Sequence, residues 1–426
     1  MNANSLPCFA KTLTHWRTLG AALSLAIMFA TAIVATPAAL QAQTFTVLHN
    51  FTGGGDGATP KAGLTMDAAE NFYGTTYLGG TGYGVVFKLK HSGSGWVLTP
   101  LYSFAGGNDG ANPFGRVAIA ADGTLYGTTY LGGGTTGCMG SGCGTVFHLT
   151  PSPEAPKKAL APWNETVIFS FTGVYTGANP QGDIVFDRSG NICGTTVSGG
   201  NLDYGAVYQL TPSGNSWSET IIYSPGDFNL FQAPYGGVVF DSAGNLYGTS
   251  SLGGYGGDGN VYRLSPAGSG WKAQSLHQFD GTDGAEPIGG LILDSAGDLY
   301  GTTSIEGGGY GTVFQITFGN GGWTFTTLHT FPTGKNYGGP IDQLFMDRAG
   351  NLYGTTFYDG AYGSGSVFKL APSDGGWIYS SLHDFTGGSD GEYPWSSLIV
   401  DTNGNLYGTT AGGGGYGLGV VFQITP

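Results

Sequence analysis

Short apolar runs and glycine-rich gaps alternate along almost the whole chain, and the copy around Tyr300 shows the pattern. Ile288 to Asp294 reads Ile-Gly-Gly-Leu-Ile-Leu-Asp, a brief apolar run closed by an acid. Ser295-Ala296-Gly297 is turn chemistry. Asp298 to Ser304, Asp-Leu-Tyr-Gly-Thr-Thr-Ser, is rich in strand-forming residues. After a turn at Glu306 to Gly309 come Gly311 to Thr317, a third turn at Gly319 to Gly322, and Trp323 to Phe331. We label these four segments a, b, c and d. Runs this short, divided by turns every ~8–12 residues, predict one antiparallel up-and-down sheet. Beyond residue 42, no segment repeats apolar residues at i, i+3, i+4 and i+7 over a helical length. The chain after that point is therefore predicted to be nearly all β.

The pattern recurs. Leu-Tyr-Gly-Thr-Thr, or a near variant, places its aromatic position at Tyr73, Tyr126, Cys193, Tyr247, Tyr300, Tyr353 and Tyr407, with spacings of 53, 67, 54, 53, 53 and 54. A period of about fifty is too long for one coil of a β-solenoid and suits one propeller blade. A lone four-stranded sheet cannot bury both faces, while ordering it costs about 1–2 kcal/mol per residue in backbone entropy. Stacking the sheets around an axis buries both faces and protects the edges. Seven copies predict a seven-bladed β-propeller over residues 43–426. Thr44 to Phe51 reads as a d strand with no a, b or c before it, and Leu418 to Thr425 as a c strand with no d after it. The N-terminal strand is expected to complete the last blade and leave no open edge. The long spacing carries two insertions, a cysteine loop between b and c of the second blade and the stretch Pro151 to Pro162 between c and d.

Gly-Asn-Leu-Tyr-Gly-Thr-Thr, then Gly-Gly-x-Gly-Tyr-Gly-x-Val-Phe-x-Leu, then Leu-His-x-Phe with Gly-Gly-x-Asp-Gly-Ala-x-Pro, recur in fixed order. In this the chain resembles the GloVer tandem-repeat family of exported bacterial proteins, over essentially all of 44–426. The resemblance implies a secreted, propeller-shaped protein and offers no catalytic residue to carry over. Family members often end in an anchoring or sorting domain. This chain stops at Pro426, after the last strand, so release into periplasm or medium is expected over surface anchoring.

The N-terminus supports export. Lys11 and Arg17 precede an apolar run from Leu19 to Ala35, and Leu40-Gln41-Ala42 ends in a small residue. Residues 1–42 therefore read as a secretory signal cleaved after Ala42. Losing Lys11 and Arg17 leaves 12 of the 14 Lys and Arg against all 28 acids, a formal charge of −16. With so few cations, and those scattered, nucleic acid and, after signal cleavage, membrane surfaces are not expected partners. Charged residues are only 10% of the chain, so its surface must be mostly Gly, Ser, Thr, Asn and Tyr. In an exported protein Cys138 and Cys143, in one small loop, are expected to form a disulfide. Cys193 reads as a buried small hydrophobe.

In an up-and-down propeller the d-to-a and b-to-c loops share one face, here called the top. Asp-Gly motifs at Asp56, Asp109, Asp283 and Asp390 fall in d-to-a loops, and Tyr83, Tyr204, Tyr310, Tyr362 and Tyr416 in b-to-c loops. Tyrosine offers an apolar ring and a hydroxyl, and Asp accepts hydrogen bonds. Together they suit a sugar, although Asp-Gly is also ordinary turn chemistry. A second acidic set, Asp67, Asp187, Asp241, Asp294, Asp347 and Asp401, ends the a strands before tight turns and is expected to be structural. His49, His277, His329 and His383 share one repeat position with Tyr102, Phe169 and Tyr223, which argues for packing. No nucleophile elbow, zinc-protease helix or phosphate loop is present after residue 42. The leading expectation is a monomeric, non-enzymatic binding propeller with no cofactor and no metal, its partner a polysaccharide or a cell-envelope protein. The alternatives are a carbohydrate-active hydrolase or lyase using a top-face carboxylate, and a structural envelope or matrix protein.

Overall fold

The computed structural model describes residues 43–134, 137–152, 163–226, 231–304, 311–331 and 339–425. The expected signal segment, most of the Pro151 to Pro162 insertion and Tyr310 lie outside the described residues. Seven four-stranded antiparallel blades form the ring. Blade one runs Thr65–Met66, Phe72–Thr76, Val85–Ser92 and Gly95–Ser103 from the inside outwards. In blade seven the outermost strand is Thr44–Asn50, paired with Val420–Thr425 from Thr44 opposite Thr425 to Asn50 opposite Val420. The N-terminal strand thus closes the ring, as the orphan strands at the two ends predict.

The repeat motif is legible atom by atom. In blade five the Tyr300 hydroxyl donates to Asp294, which also accepts the amides of Ala296 and Asp298 at 2.9 Å, fixing the a-to-b turn. Gly301 is obligatory, because a Cβ there would sit 2.5 Å from Cζ of Phe314 on the next strand. In six of the seven blades the first Thr of the motif ties its blade to the next. Thr249 donates to the Gly289 carbonyl at 2.7 Å, Thr195 to Gly236 at 3.0 Å, Thr355 to Ser396 at 3.0 Å and, across the closure, Thr409 to Ala62 at 3.0 Å. Thr75 and Thr302 do the same at 3.3 Å. In blade two the buried hydroxyl of Thr128 has no partner. The second Thr shapes the b-to-c loop, as where Thr76 donates to the Leu78 carbonyl at 2.9 Å.

Strand a is shorter than expected. The run Ile288 to Asp294 yields only Ile292–Leu293 as laddered strand, because its first half passes along the axis, where the Gly289 carbonyl is taken by Thr249 of the preceding blade. Strand d gains an irregularity instead. His329 opposes Val313 and Thr327 opposes Phe314, so Leu328 is an extra residue, a bulge recurring in every blade with its register intact on both sides. Leu328 and His329 then both reach the next blade, where His329 stacks on Tyr379 at 4.5 Å. His277 likewise stacks on Phe325 and His383 on Phe45. The core is correspondingly split into seven clusters between adjacent blades. One of them joins Val313 and Phe331 to Leu352 and Phe368. Each blade buries its neighbour's face, which is why no blade needs a core of its own.

Candidate functional site

The inner segments converge on the axis at one level of the repeat, three residues after a Pro. Gly63, Arg116, Asp183, Gly237, Gly290, Gln343 and Ser397 occupy it in blades one to seven. Three of the seven positions are glycine, and the space they leave holds the long side chains of the others. A Cβ on Gly63 would come within 2.9 Å of Arg116 Cδ, and one on Gly290 within 3.3 Å of Gln343 Nε2. Arg116 lies across the axis. Its backbone amide and Nε donate to the two carboxylate oxygens of Asp183 at 2.7 and 2.6 Å, and Nη2 donates to Gln343 Oε1 at 2.6 Å. Gln343 Nε2 in turn donates to the Leu291 carbonyl at 2.7 Å. Asp342, one residue earlier in blade six, accepts the amides of Gln343 and Ser397. Blades two, three, five, six and seven are thereby pinned together by polar contacts at the centre.

The set is electrostatically asymmetric. Burial and the neighbouring Asp183 charge push the Asp342 carboxyl up to about 7, against the pull of Arg116. Burial would weaken the Arg116 cation, but Asp183 and Asp342 outweigh it and hold the proton more firmly. Arg116 and Asp183 keep 23% and 27% of their side-chain surface open, so the cluster faces a cavity and is not sealed in a core. That cavity, about 540 Å³, follows the axis; Lys61, Phe114, Tyr235 and Trp395 line its upper part and apolar residues such as Val239 and Phe345 its lower part.

The mouth is aromatic. Tyr77 meets Phe114 at 6.1 Å, Phe114 meets Trp395 at 5.9 Å, Trp395 meets Phe357 at 4.8 Å, and Phe357 touches both Tyr358 and Tyr393. All six rings are partly exposed. Lys61 Nζ sits 4.1 Å from the Tyr77 ring and 5.0 and 5.1 Å from Phe114 and Trp395, a cation held by ring faces, with burial lowering its pKa. Tyr393 reaches the mouth from a left-handed backbone (φ 57°) directly before Pro394. A residue before proline strongly prefers extended backbone, so the conformation is strained. Thr59, Asn112, Asn179, Ala233 and Glu286 share this conformation at the same repeat position.

A profile of the Gloeobacter/Verrucomicrobia repeat, the family the motifs resembled, matches residues 34–188, 134–331 and 306–426. The chain belongs to this family. Among solved structures it is similar to a polysaccharide lyase, an ulvan lyase bound to -[GlcA(1-4)Rha3S]-, at 11% identity over 86% of this chain and 92% of that one, TM-score 0.52. It is also similar to a proposed 6-phosphogluconolactonase from Bacteroides uniformis (15% identity, 76% and 84% covered, TM-score 0.47). A third is a proposed glucose dehydrogenase from Thermus thermophilus (16% identity, 74% and 96% covered, TM-score 0.44). At these identities the likeness speaks to the fold alone. None of the curated proteins compared with the chain matches it.

Of the nine sequence-derived ligand candidates of this Gloeobacter/Verrucomicrobia repeat protein, the eight that lie among the described residues do not line the axial cavity. The four Asp-Gly aspartates hold their own loops. Asp56 accepts the Thr52 amide and His49 Nε2, both at 3.0 Å, Asp283 accepts His277 at 2.7 Å, Asp390 accepts His383 at 3.1 Å, and Asp109 accepts the Tyr102 hydroxyl at 2.6 Å. Three of the four histidines read as packing residues, His49, His277 and His383, thus also brace the loops that follow them. Tyr83, Tyr362 and Tyr416 stand exposed on b-to-c loops, while Tyr204 is partly buried. Tyr83 lies over Gly106 of the next d-to-a loop, on the outer part of the face. The turn aspartates behave as structural groups, each accepting amides two and four residues on, as Asp347 does from Ala349 and Asn351. Cys138 and Cys143 are disulfide-bonded, their Cα atoms 5.3 Å apart, and Cys193 is buried with its thiol pushed up to about 12 by desolvation. The axial set is not among the sequence-derived candidates, whose motifs lie in the loops. Its signal lies in the inner strand, where Gly-Gly-Leu in blade five becomes Gly-Arg-Val, Gly-Asp-Ile and Asp-Gln-Leu in blades two, three and six.

Proposed function

We propose that this propeller is an exported carbohydrate-binding protein that takes a neutral glycan on its top face, over the mouth of the axial cavity. The observation that carries the reading is the break in repeat symmetry. Four large polar side chains, Arg116, Asp183, Asp342 and Gln343, stand at the axis where other blades carry Gly, Ala or Ser, directly below a crescent of six aromatic rings. A repeat protein has no architectural need to differ between blades at one level. A pocket with apolar walls and a few convergent polar groups is the default ligand site. A pyranose presents an apolar C–H face to the rings and hydroxyls to Gln343 and the two carboxylates. The cavity's cations are already engaged, Arg116 by Asp183 and Lys61 by ring faces, which favours a neutral ligand over an anionic one. The loop tyrosines Tyr83, Tyr204, Tyr310, Tyr362 and Tyr416 flank this centre, and the Asp-Gly carboxylates set the shape of their loops. A glycan array followed by calorimetry on the purified chain 43–426 tests the reading. Trp395→Ala and Phe114→Ala should each weaken binding at least tenfold in a folded protein, and Asp347→Asn on the opposite face should leave affinity unchanged. Equal affinity in all three variants refutes it.

One observation favours a second reading, a glycoside hydrolase or lyase. Asp342 and Asp183 face the same cavity, and burial beside Asp183 raises the proton affinity of Asp342, as a general acid requires. If the bound glycan is cleaved, Asp342→Asn should abolish turnover and retain binding. An intact glycan after prolonged incubation with the unaltered chain leaves the binding role alone.

A further inference from the structure

The top face carries a second, outer layer of ligand-like surface. Of thirteen large apolar side chains exposed among the described residues, ten lie in its loops, and only Val97, Phe318 and Ile378 lie elsewhere. Five of the ten are tyrosines on five different blades: Tyr83 (45% exposed), Tyr175 (81%), Tyr255 (95%), Tyr362 (65%) and Tyr416 (66%). Monomeric proteins rarely concentrate exposed apolar groups on one face without a partner. The charge of the face narrows what that partner is. Arg116 and Lys61 are the only cations in its described loops and inner segments, and both are engaged at the axis. Three of its loop acids are turned inward onto histidines. Among the described residues the rim therefore offers ring faces and hydroxyls with no free positive charge, which matches an uncharged polyol better than a uronate or sulfated chain.

We propose that the occupant of the top face is one long neutral polysaccharide, lying across the propeller with one sugar over the axial cavity and flanking sugars stacked on rim tyrosines. This rests on the axial glycan site proposed above and adds that polymer, not chain end or short oligosaccharide, is the ligand. Each stacked sugar holds its neighbours near their own rings at high effective concentration, so affinity must climb with chain length without a new kind of contact.

The test uses the chain 43–426 with mixed-linkage β-glucan, xylan, galactomannan and dextran in affinity electrophoresis, and oligosaccharides of two to eight sugars from the retained polymer in calorimetry. One neutral polymer should be retained, with affinity at least tenfold above that of its disaccharide. The double variant Tyr175→Ala/Tyr255→Ala, at two of the most exposed positions and so without cost to the fold, should lose that tenfold gain while disaccharide affinity stays within twofold. Trp395→Ala should lose both. Polymer affinity unmoved by the rim substitutions, or no greater than disaccharide affinity, overturns the polymer proposal and leaves the axial site standing. Rim-dependent self-association in sedimentation, without polymer retention, overturns it in favour of a protein partner. Loss of every neutral ligand, polymer and oligosaccharide alike, sinks the axial reading as well.

Discussion

Replacing Glu219 with Gln should stabilise the propeller at neutral and alkaline pH and do nothing at pH 4. Glu219 sits on the outer strand Ser216–Tyr223 of blade three, at the repeat position that Phe45, Phe325 and Tyr379 fill in other blades. One of its oxygens is buried without a partner, and burial pushes the carboxyl up from an ordinary 4.5 to about 8. In the unfolded chain the same group loses its proton near 4.5. Between these values the folded state binds more protons than the unfolded state, so stability falls as the pH climbs through that window and levels off above about 8. The full gap would be worth roughly 5 kcal/mol. The side chain still meets some water, which screens the penalty, so about 1–3 kcal/mol is expected. Gln keeps the shape, carries no proton to lose and removes the slope. Thermal melts of both proteins from pH 4 to pH 9 should coincide at the acid end and diverge by a few degrees at the alkaline end, with the variant higher. A difference of the same size at every pH would show that Glu219 is not held neutral by the fold, and the reasoning would fail.

Three further outcomes are expected. Thr249→Val should cost about 1–3 kcal/mol in urea unfolding, because it orphans the buried Gly289 carbonyl, whereas Thr128→Val, which removes a hydroxyl with no partner, should be neutral or stabilising; equal losses would deny the inter-blade role of this position. A chain starting at residue 52 should aggregate or melt far lower, since it loses the ladder on Val420–Thr425 and the burial of Phe45, Val47, Leu48 and Phe51, together roughly 6–10 kcal/mol; melting like the full chain would rule out closure by this strand. Reducing the Cys138–Cys143 bond, which closes a very short loop, should remove only about 2 kcal/mol and leave the circular dichroism of the blades intact; unfolding on reduction would contradict this.

The fold was legible because every element of the repeat answers to a local rule. Gly301 had to be glycine beneath Phe314, Asp294 had to be a turn acceptor, and the spacing of the tyrosines counted the blades. Orphan strands at the two ends announced the closure. Strand a was overread because its apolar character reflects burial at the axis, where neighbouring blades take up the backbone carbonyls and little ladder is formed. The site was less legible for a related reason. Repeats draw attention to what recurs, and the Asp-Gly and Gly-Tyr-Gly motifs recur because they build loops. The hydrogen bonds of Asp56 and Asp390 to His49 and His383 are the same contact in two blades, which is the mark of architecture.

What distinguishes one propeller from another must therefore lie where the blades disagree, and here one such disagreement falls at the axis, beneath the aromatic mouth. A single Arg there would leave an uncompensated charge near the centre. A single Asp would be driven neutral. Together Arg116, Asp183 and Asp342 hold each other in place, yet the arrangement is an expensive way to gain stability, since apolar side chains of similar volume would pack the same space with no desolvation cost. The lower half of the cavity, with Val239 and Phe345 in its wall, shows that this chain can line its axis with apolar residues. That it does not do so beneath the aromatic mouth argues that the polar layer is kept for what enters from above.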